Sequence, residues 1–180
     1  GSAAWYEAPA KDPRLDYAIG SVHFVGKQSI DTDRAFWGSL SPEEVNDVHR
    51  RYWLAVRDMA ESRLFDIAGH IDLCKKFAFY PSEDLTPVIR DALDAVKAAD
   101  MTVELNTSGW AKDCRECYPS DAILRACFHR EIPVTVSADA HRAAFACANF
   151  SRAYDHLARA GYREIARFRG RERFFESLEP

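Results

Sequence analysis

Ser137-Ala138-Asp139-Ala140-His141 sets a carboxylate and an imidazole two residues apart, just after the β-branched run Ile132-Pro133-Val134-Thr135-Val136. In extended backbone, residues two apart share a face, so both side chains can reach one point beyond the strand's C-terminal end. Oxygen and nitrogen donors at that spacing suit a divalent metal ion. The same residues are equally compatible with Asp139 capping a helix begun by Arg142-Ala143-Ala144-Phe145-Ala146 and His141 being an ordinary polar loop residue.

Other strand-like segments end in the same kinds of side chain. His23 closes Leu15 to Phe24, His70 closes Phe65-Asp66-Ile67-Ala68-Gly69, and Glu104 and Asn106 sit at the end of the run from Met101. Barrels gather such residues, distant in sequence, at one rim. Imidazoles and carboxylates there bind zinc, manganese or iron, and metal ions lower the pKa of bound water while neutralising phosphoryl charge. A metallohydrolase, a barrel enzyme without metal and a binding or scaffold domain all remain open on spacing alone. His49, on or beside a helical apolar face, reads as a helix contact or an exposed group. Cys114-Arg115-Glu116-Cys117 has redox or zinc-knuckle spacing, but no second pair follows, which makes two incidental loop cysteines the simpler reading.

The elements that must position these groups alternate. Ser41-Pro42-Glu43-Glu44 starts a helix that the apolar spacing carries to about Glu61. Further helices are expected from Pro81 to about Ala99, from Ser120 to Arg130 and from Tyr154 to Gly161, with a helix end at residues 4–9 and a terminal helical turn or two from Arg171 to Leu178. Strands are expected at Met101 to Asn106, Ile132 to Val136 and Tyr162 to Phe168. Val25 to Ser39 lacks a stable period and reads as a functional loop, with Asp31 and Asp33 in it and Phe36 and Trp37 as its lid or anchor. Strands alternating with helices predict an α/β fold of parallel strands, either a barrel or a doubly wound sheet.

Composition bounds the rest. The chain has 180 residues, 47% of them apolar, which suits one globular domain. A net charge of −4, from 24 basic and 28 acidic side chains, gives no support to nucleic acid or an anionic membrane surface as a partner. Five cysteines without a regular framework fit a reducing, cytoplasmic setting. No membrane span, signal peptide or glycine-rich phosphate loop is visible. Gly1-Ser2-Ala3 resembles the remnant of a cleaved tag, leaving 4–180 as a portion of a single domain.

In order, Gly20-Ser21-Val22-His23-Phe24, Gly69-His70-Ile71-Asp72, Glu104-Leu105-Asn106-Thr107-Ser108-Gly109 and Ser137-Ala138-Asp139-Ala140-His141 resemble successive motifs of the polymerase-and-histidinol-phosphatase (PHP) superfamily. Within it they are most similar to the monofunctional histidinol-phosphate phosphatases, over the stretch from about Asp16 to the C-terminus. The resemblance implies a distorted (β/α)7 barrel, here incomplete at the N-terminus because the family's opening His-x-His strand and bridging glutamate have no counterpart. It implies divalent metals, up to three and of manganese, zinc or iron type, and hydrolysis of L-histidinol phosphate to L-histidinol and phosphate by metal-bound hydroxide. Carried over residue by residue, it makes His23, His70, Asp139 and His141 metal ligands, with Asp139 and His141 also catalytic. Glu104 stands beside them, and Lys75 and Lys76 meet the phosphate. Ala111 stands where the family carries a phosphate-clamping arginine, with Lys112 the next cation along, so a nucleotide-type phosphoester is an alternative substrate. The missing opening leaves three explanations: a fragment of a longer protein, a second chain or N-terminal piece that completes the barrel, or a truncated homologue that binds a partner without catalysis.

Overall fold

The start signalled at Ser41 forms a full capping box in the computed structural model. Ser41 Oγ accepts from the Glu44 amide at 3.2 Å, and the Glu44 carboxylate accepts from the Ser41 amide at 2.8 Å. The structure describes residues 7, 10 and 12–178; the suspected tag remnant 1–3 and most of the helix end at 4–9 lie outside the described residues. In chain order the helices are α1 (Arg34–Gly38), α2 (Pro42–Glu61), α3 (Thr86–Ala98), α4 (Asp121–His129) and α5 (Phe150–Ala160). The strands are β1 (Ile19–Gly20), β2 (Phe24–Val25), β3 (Gln28–Ser29), β4 (Ile67–Ala68), β5 (Thr102–Asn106), β6 (Val134–Ser137), β7 (Glu164–Arg169) and β8 (Glu172–Ser177).

Four strands in the order β1-β4-β5-β6 make one parallel sheet, which does not close on itself among the described residues. The fold is therefore α/β with an incomplete barrel, as expected. Every residue of β5 is buried, and Leu93 and Val96 of α3 and Leu124 and Cys127 of α4 are buried with it. Burying each valine or leucine of this kind contributes roughly 1.5–3 kcal/mol, which is why the central strand is apolar at consecutive positions. From α2, Tyr52, Trp53, Val56 and Ala60 join the same core.

β1 and β4 are two residues each, far shorter than the segments expected around them. Their tight approach depends on glycine, because a Cβ at Gly69 would lie 2.4 Å from Ser21 Oγ and 2.7 Å from Ile19 Cγ2. Directly after Gly69 the backbone enters the left-handed region, with φ of 27° at His70 and 65° at Asp72, so the strand stops and the chain turns at its tip.

Three expectations need correction. Val25 to Ser39 is not a plain loop: it holds the β2–β3 hairpin and α1, anchored where Trp37 Nε1 donates to the Ile30 carbonyl at 2.9 Å. Arg171 to Leu178 is not helical either. Gly170 and Arg171, with φ of 56° and 71°, form a tight turn that pairs β8 antiparallel with β7, and Asp16 Oδ1 accepts from the Gly170 amide at 2.7 Å. The helix-compatible stretch after His141 is only a short 3₁₀ turn at Ala143–Phe145. All five cysteines are free, with Cys114 and Cys117 both buried. No helix among the described residues is long and apolar enough to cross a membrane.

Candidate active site

The strand tips open into a cavity of about 590 Å³ bordered by Ser21, His23, Asp31, His70, Lys76, Ser108, Lys112, Tyr118, Asp139 and His141. His23, His70, Asp139 and His141, which come from three separate segments of the sequence, thus face one space. The His23 and His70 rings meet edge to face with centroids 4.9 Å apart.

Each imidazole is set by its neighbours. His23 Nδ1 lies 3.2 Å from Asp31 Oδ2, so the carboxylate holds the proton on Nδ1 and leaves Nε2 with its lone pair. His141 Nδ1 donates to the Asp139 carbonyl at 2.9 Å, which again frees Nε2. His70 is buried, and its Nδ1 has no hydrogen-bond partner. Burial holds the His70 imidazole below the ordinary histidine range, against the pull of Glu104. Burial alone would raise Asp31, but the hydrogen bond and charge of His23, the Ser29 hydroxyl and the Lys76 charge together outweigh that and leave the carboxyl below its usual range. Asp139 has φ of 47°, a left-handed conformation that turns the chain at the end of β6.

Glu104 does not border the cavity; it ties the tips together from below. Its carboxylate accepts from the His70 amide at 2.6 Å and from Asn106 Nδ2 at 3.1 Å, and also from Ser137 Oγ. One side chain thus joins β5 to the chain leaving β4 and to the end of β6. Asn106 in turn accepts from the Ser108 hydroxyl at 2.7 Å and from the Ser108 amide at 3.0 Å.

The two adjacent lysines part company, and the expectation for Lys75 is corrected. Its ammonium is buried, donating to Asp72 Oδ2 at 2.9 Å and to the Cys117 carbonyl at 2.8 Å, with Glu116 at 3.1 Å. Burial pulls this ammonium down, but Asp72 and then Glu116 outweigh it and raise its pKa. Successive residues of a 3₁₀ turn point about 120° apart, so Lys75 is a structural ion pair while Lys76 borders the cavity. Asp31, Ser21 and Ser108 are cavity residues that the ligand pattern did not single out; for Asp31 the signal was its place in a loop expected to be functional. Ala111 and Lys112 border an adjoining hollow of about 490 Å³ that also takes in Ser108, Asp139, His141, Arg142 and Phe145.

The donors fit a divalent metal in kind: imidazole nitrogens with free lone pairs, one of them buried and unpartnered, and carboxylates beside them. Among the described residues, no three histidine, cysteine, aspartate or glutamate side chains are gathered closely enough to form a ready cage.

No family model matches the chain. Its sequence is 33% identical over 157 residues to a protein of Deinococcus radiodurans named a probable histidinol-phosphatase, covering 87% of this chain and 59% of that protein. Its structure aligns with a crystal structure of histidinol phosphate phosphatase from Lactococcus lactis at a TM-score of 0.72 and 21% identity, covering 91% of this chain and 63% of the other. The fold is that of solved histidinol phosphatases. A histidinol-phosphatase of Bacillus subtilis is 28% identical over 146 residues, covering 73% of this chain and 54% of its own length. The chain spans between 51% and 59% of the curated histidinol-phosphatases it matches. In histidinol-phosphatase terms, the described sheet is a part of the barrel that carries the strand tips after β1, β4, β5 and β6.

Proposed function

We propose that this chain is the C-terminal portion of a metal-dependent phosphomonoesterase that converts L-histidinol phosphate and water to L-histidinol and phosphate. The observation that carries the reading is the convergence of His23, His70, Asp139 and His141 on one cavity, with a buried, unpartnered imidazole nitrogen on His70. The relative from Lactococcus lactis is described in complex with zinc, L-histidinol and phosphate, which supports both the metal and the substrate.

His23, His70, Asp139 and His141 would hold divalent ions; when bound, these supply Lewis-acid stabilisation of the charge on the phosphoryl oxygens. The remaining work falls to this chain's own groups. Asp31 fixes the His23 ring, and Glu104 fixes the backbone of His70. Lys76 and Lys112 place positive charge at the cavity wall, where phosphate oxygens would sit. They act as flexible point charges, a weaker hold than an arginine fork. His141, with its Nδ1 proton committed to the Asp139 carbonyl, would present Nε2 to the ion it holds.

The test has two readouts. Calorimetric titration of the chain with zinc or manganese should give binding that His70→Ala and His23→Ala each weaken by about tenfold or more. The longer protein that contains this chain should release phosphate from L-histidinol phosphate in preference to nucleotide monophosphates. Metal binding indifferent to both substitutions would overturn the site, and a preference for nucleotides would overturn the substrate alone.

A second reading has its own observation: Leu15, Tyr17 and Ile19, in and just before the edge strand β1, are all exposed, as is Phe24 in β2. Such an edge suits another segment or a second chain that completes the barrel. Size measurement of the isolated chain, with and without the relatives' N-terminal segment, tests it; no change in size on mixing would rule it out.

A further inference from the structure

The cavity bordered by His23, His70, Asp139 and His141 does not end at His141. Ser108, Lys112, Asp139 and His141 border it and also the adjoining hollow of about 490 Å³, so the two spaces share one wall. Away from that wall the hollow is bordered by Ala111, Ala140 and Ala148, by the Phe145 ring and by Arg142. Its size falls in the range of about 300–1,000 Å³ usual for small-molecule sites.

Phe145 is 54% exposed, yet its backbone is fixed. In the 3₁₀ turn Ala143–Phe145 its amide donates to the Arg142 carbonyl at 3.0 Å, and its own carbonyl accepts from the Ala148 amide at 3.0 Å. The buried Thr107, soon after β5, donates its hydroxyl to the Ala148 carbonyl at 2.7 Å, which fastens this segment to the sheet that carries the strand tips. An apolar ring held in water by an anchored turn gains by being covered. What covers it must fit among alanine methyl groups and within reach of two cations, since Lys112 and Arg142 stand against the single carboxylate of Asp139. A flat aromatic ring with an acceptor nitrogen meets both demands: its face can lie on Phe145, and its lone pair can take an N–H from Arg142.

We propose that this hollow receives the imidazole end of the phosphorylated alcohol, with the ring against Phe145 and its unprotonated nitrogen accepting from Arg142, and that Phe145 sets a preference for ring-bearing alcohols. The amino group, one carbon from the ester carbon, stays on the Asp139 side. The inference rests on the phosphatase reading and adds to it the residues that select the alcohol. Because the ring takes no part in bond breaking, its contact should show in KM more than in kcat.

Steady-state kinetics of the longer protein that contains this chain, with L-histidinol phosphate and with the ringless L-alaninol phosphate, tests it. The unsubstituted protein should favour the ring substrate by about tenfold or more in kcat/KM. Phe145→Ala should remove most of that preference by raising KM for L-histidinol phosphate, with KM for L-alaninol phosphate changed less than about twofold. Phe145→Tyr keeps a ring and should keep the preference. Ala111→Trp, at an exposed position, fills the hollow and should also remove the preference, which keeps the test sound if Phe145→Ala fails to fold. Calorimetry with L-histidinol itself should show severalfold weaker binding in Phe145→Ala. Turnover of neither phosphate would overturn the phosphatase reading and this inference with it. Turnover without preference for the ring, or a preference that survives both Phe145→Ala and Ala111→Trp, would overturn this inference alone. So would an equal loss on both substrates with a lowered melting temperature, the mark of Phe145 packing against another part of the longer protein.

Discussion

Removing the Glu104 carboxylate would show whether the strand tips are held from beneath. Three donors converge on it: the His70 amide, Asn106 Nδ2 and Ser137 Oγ. Glu104→Gln keeps an acceptor for the first two, which share Oε2, and its amide can donate to the Ser137 hydroxyl. What is lost is the charge assistance, about 1–2 kcal/mol. Glu104→Ala leaves the buried His70 amide and Asn106 amide and the part-buried Ser137 hydroxyl without that acceptor and opens a void beneath the tips. At about 1–3 kcal/mol for each unsatisfied group, with partial relaxation, the loss should be about 4 kcal/mol. With a urea slope of about 2 kcal/mol per molar, the midpoint should fall by about 0.5–1 M for glutamine and about 2 M for alanine. Both variants should weaken metal binding at His70, alanine far more than glutamine. If alanine costs no more stability than glutamine, the carboxylate is not the tie described, and the account of how His70 is positioned fails.

Acid should destabilise the fold in a window below neutrality. Burial holds His49 and His156 below the ordinary histidine value of about 6.5, so the unfolded chain takes up protons first as pH falls. Stability is complete above about 6.5 and declines by up to about 1.4 kcal/mol per pH unit per histidine until each lowered folded pKa is passed. Urea midpoints that are level between about pH 7.5 and pH 5.5 would contradict this. Gly161→Ala should lower thermal stability by several degrees. Gly161 has φ of 114° at the end of α5, and a Cβ there would lie 2.6 Å from Phe128 Cζ, for a cost of about 1–3 kcal/mol. An unchanged melting temperature would show that the Phe128 ring moves aside freely and that the turn tolerates a side chain.

The site was more legible in the sequence than its supports. Strand tips are where a parallel sheet presents polar side chains, so His23, His70, Asp139 and His141 could be placed together without knowing where any strand ended. The extent of β1 and β4 was not readable, because their two-residue pairing is set by close contact across Gly69, a tertiary fact. Lys75 and Lys76 are indistinguishable by composition, and only the 3₁₀ turn sends one into an ion pair and the other to the cavity. β8 was misread as helix because Phe174 and Phe175 break the period-2 signal of a half-buried strand. The Gly170–Arg171 turn was the available clue. The Ser41 cap, by contrast, rests on residues adjacent in the chain and needed nothing distant to form.

His70 and Asp139 both sit in backbone conformations that side chains with a Cβ adopt only at some cost, roughly 1–2 kcal/mol each. A library screened only for resistance to heat would be drawn to replacements there, glycine first among them. Those replacements would discard two of the four side chains proposed to hold metal in this cavity. Pressure toward a sturdier chain and pressure toward a working pocket therefore meet at the same two residues and push in opposite directions.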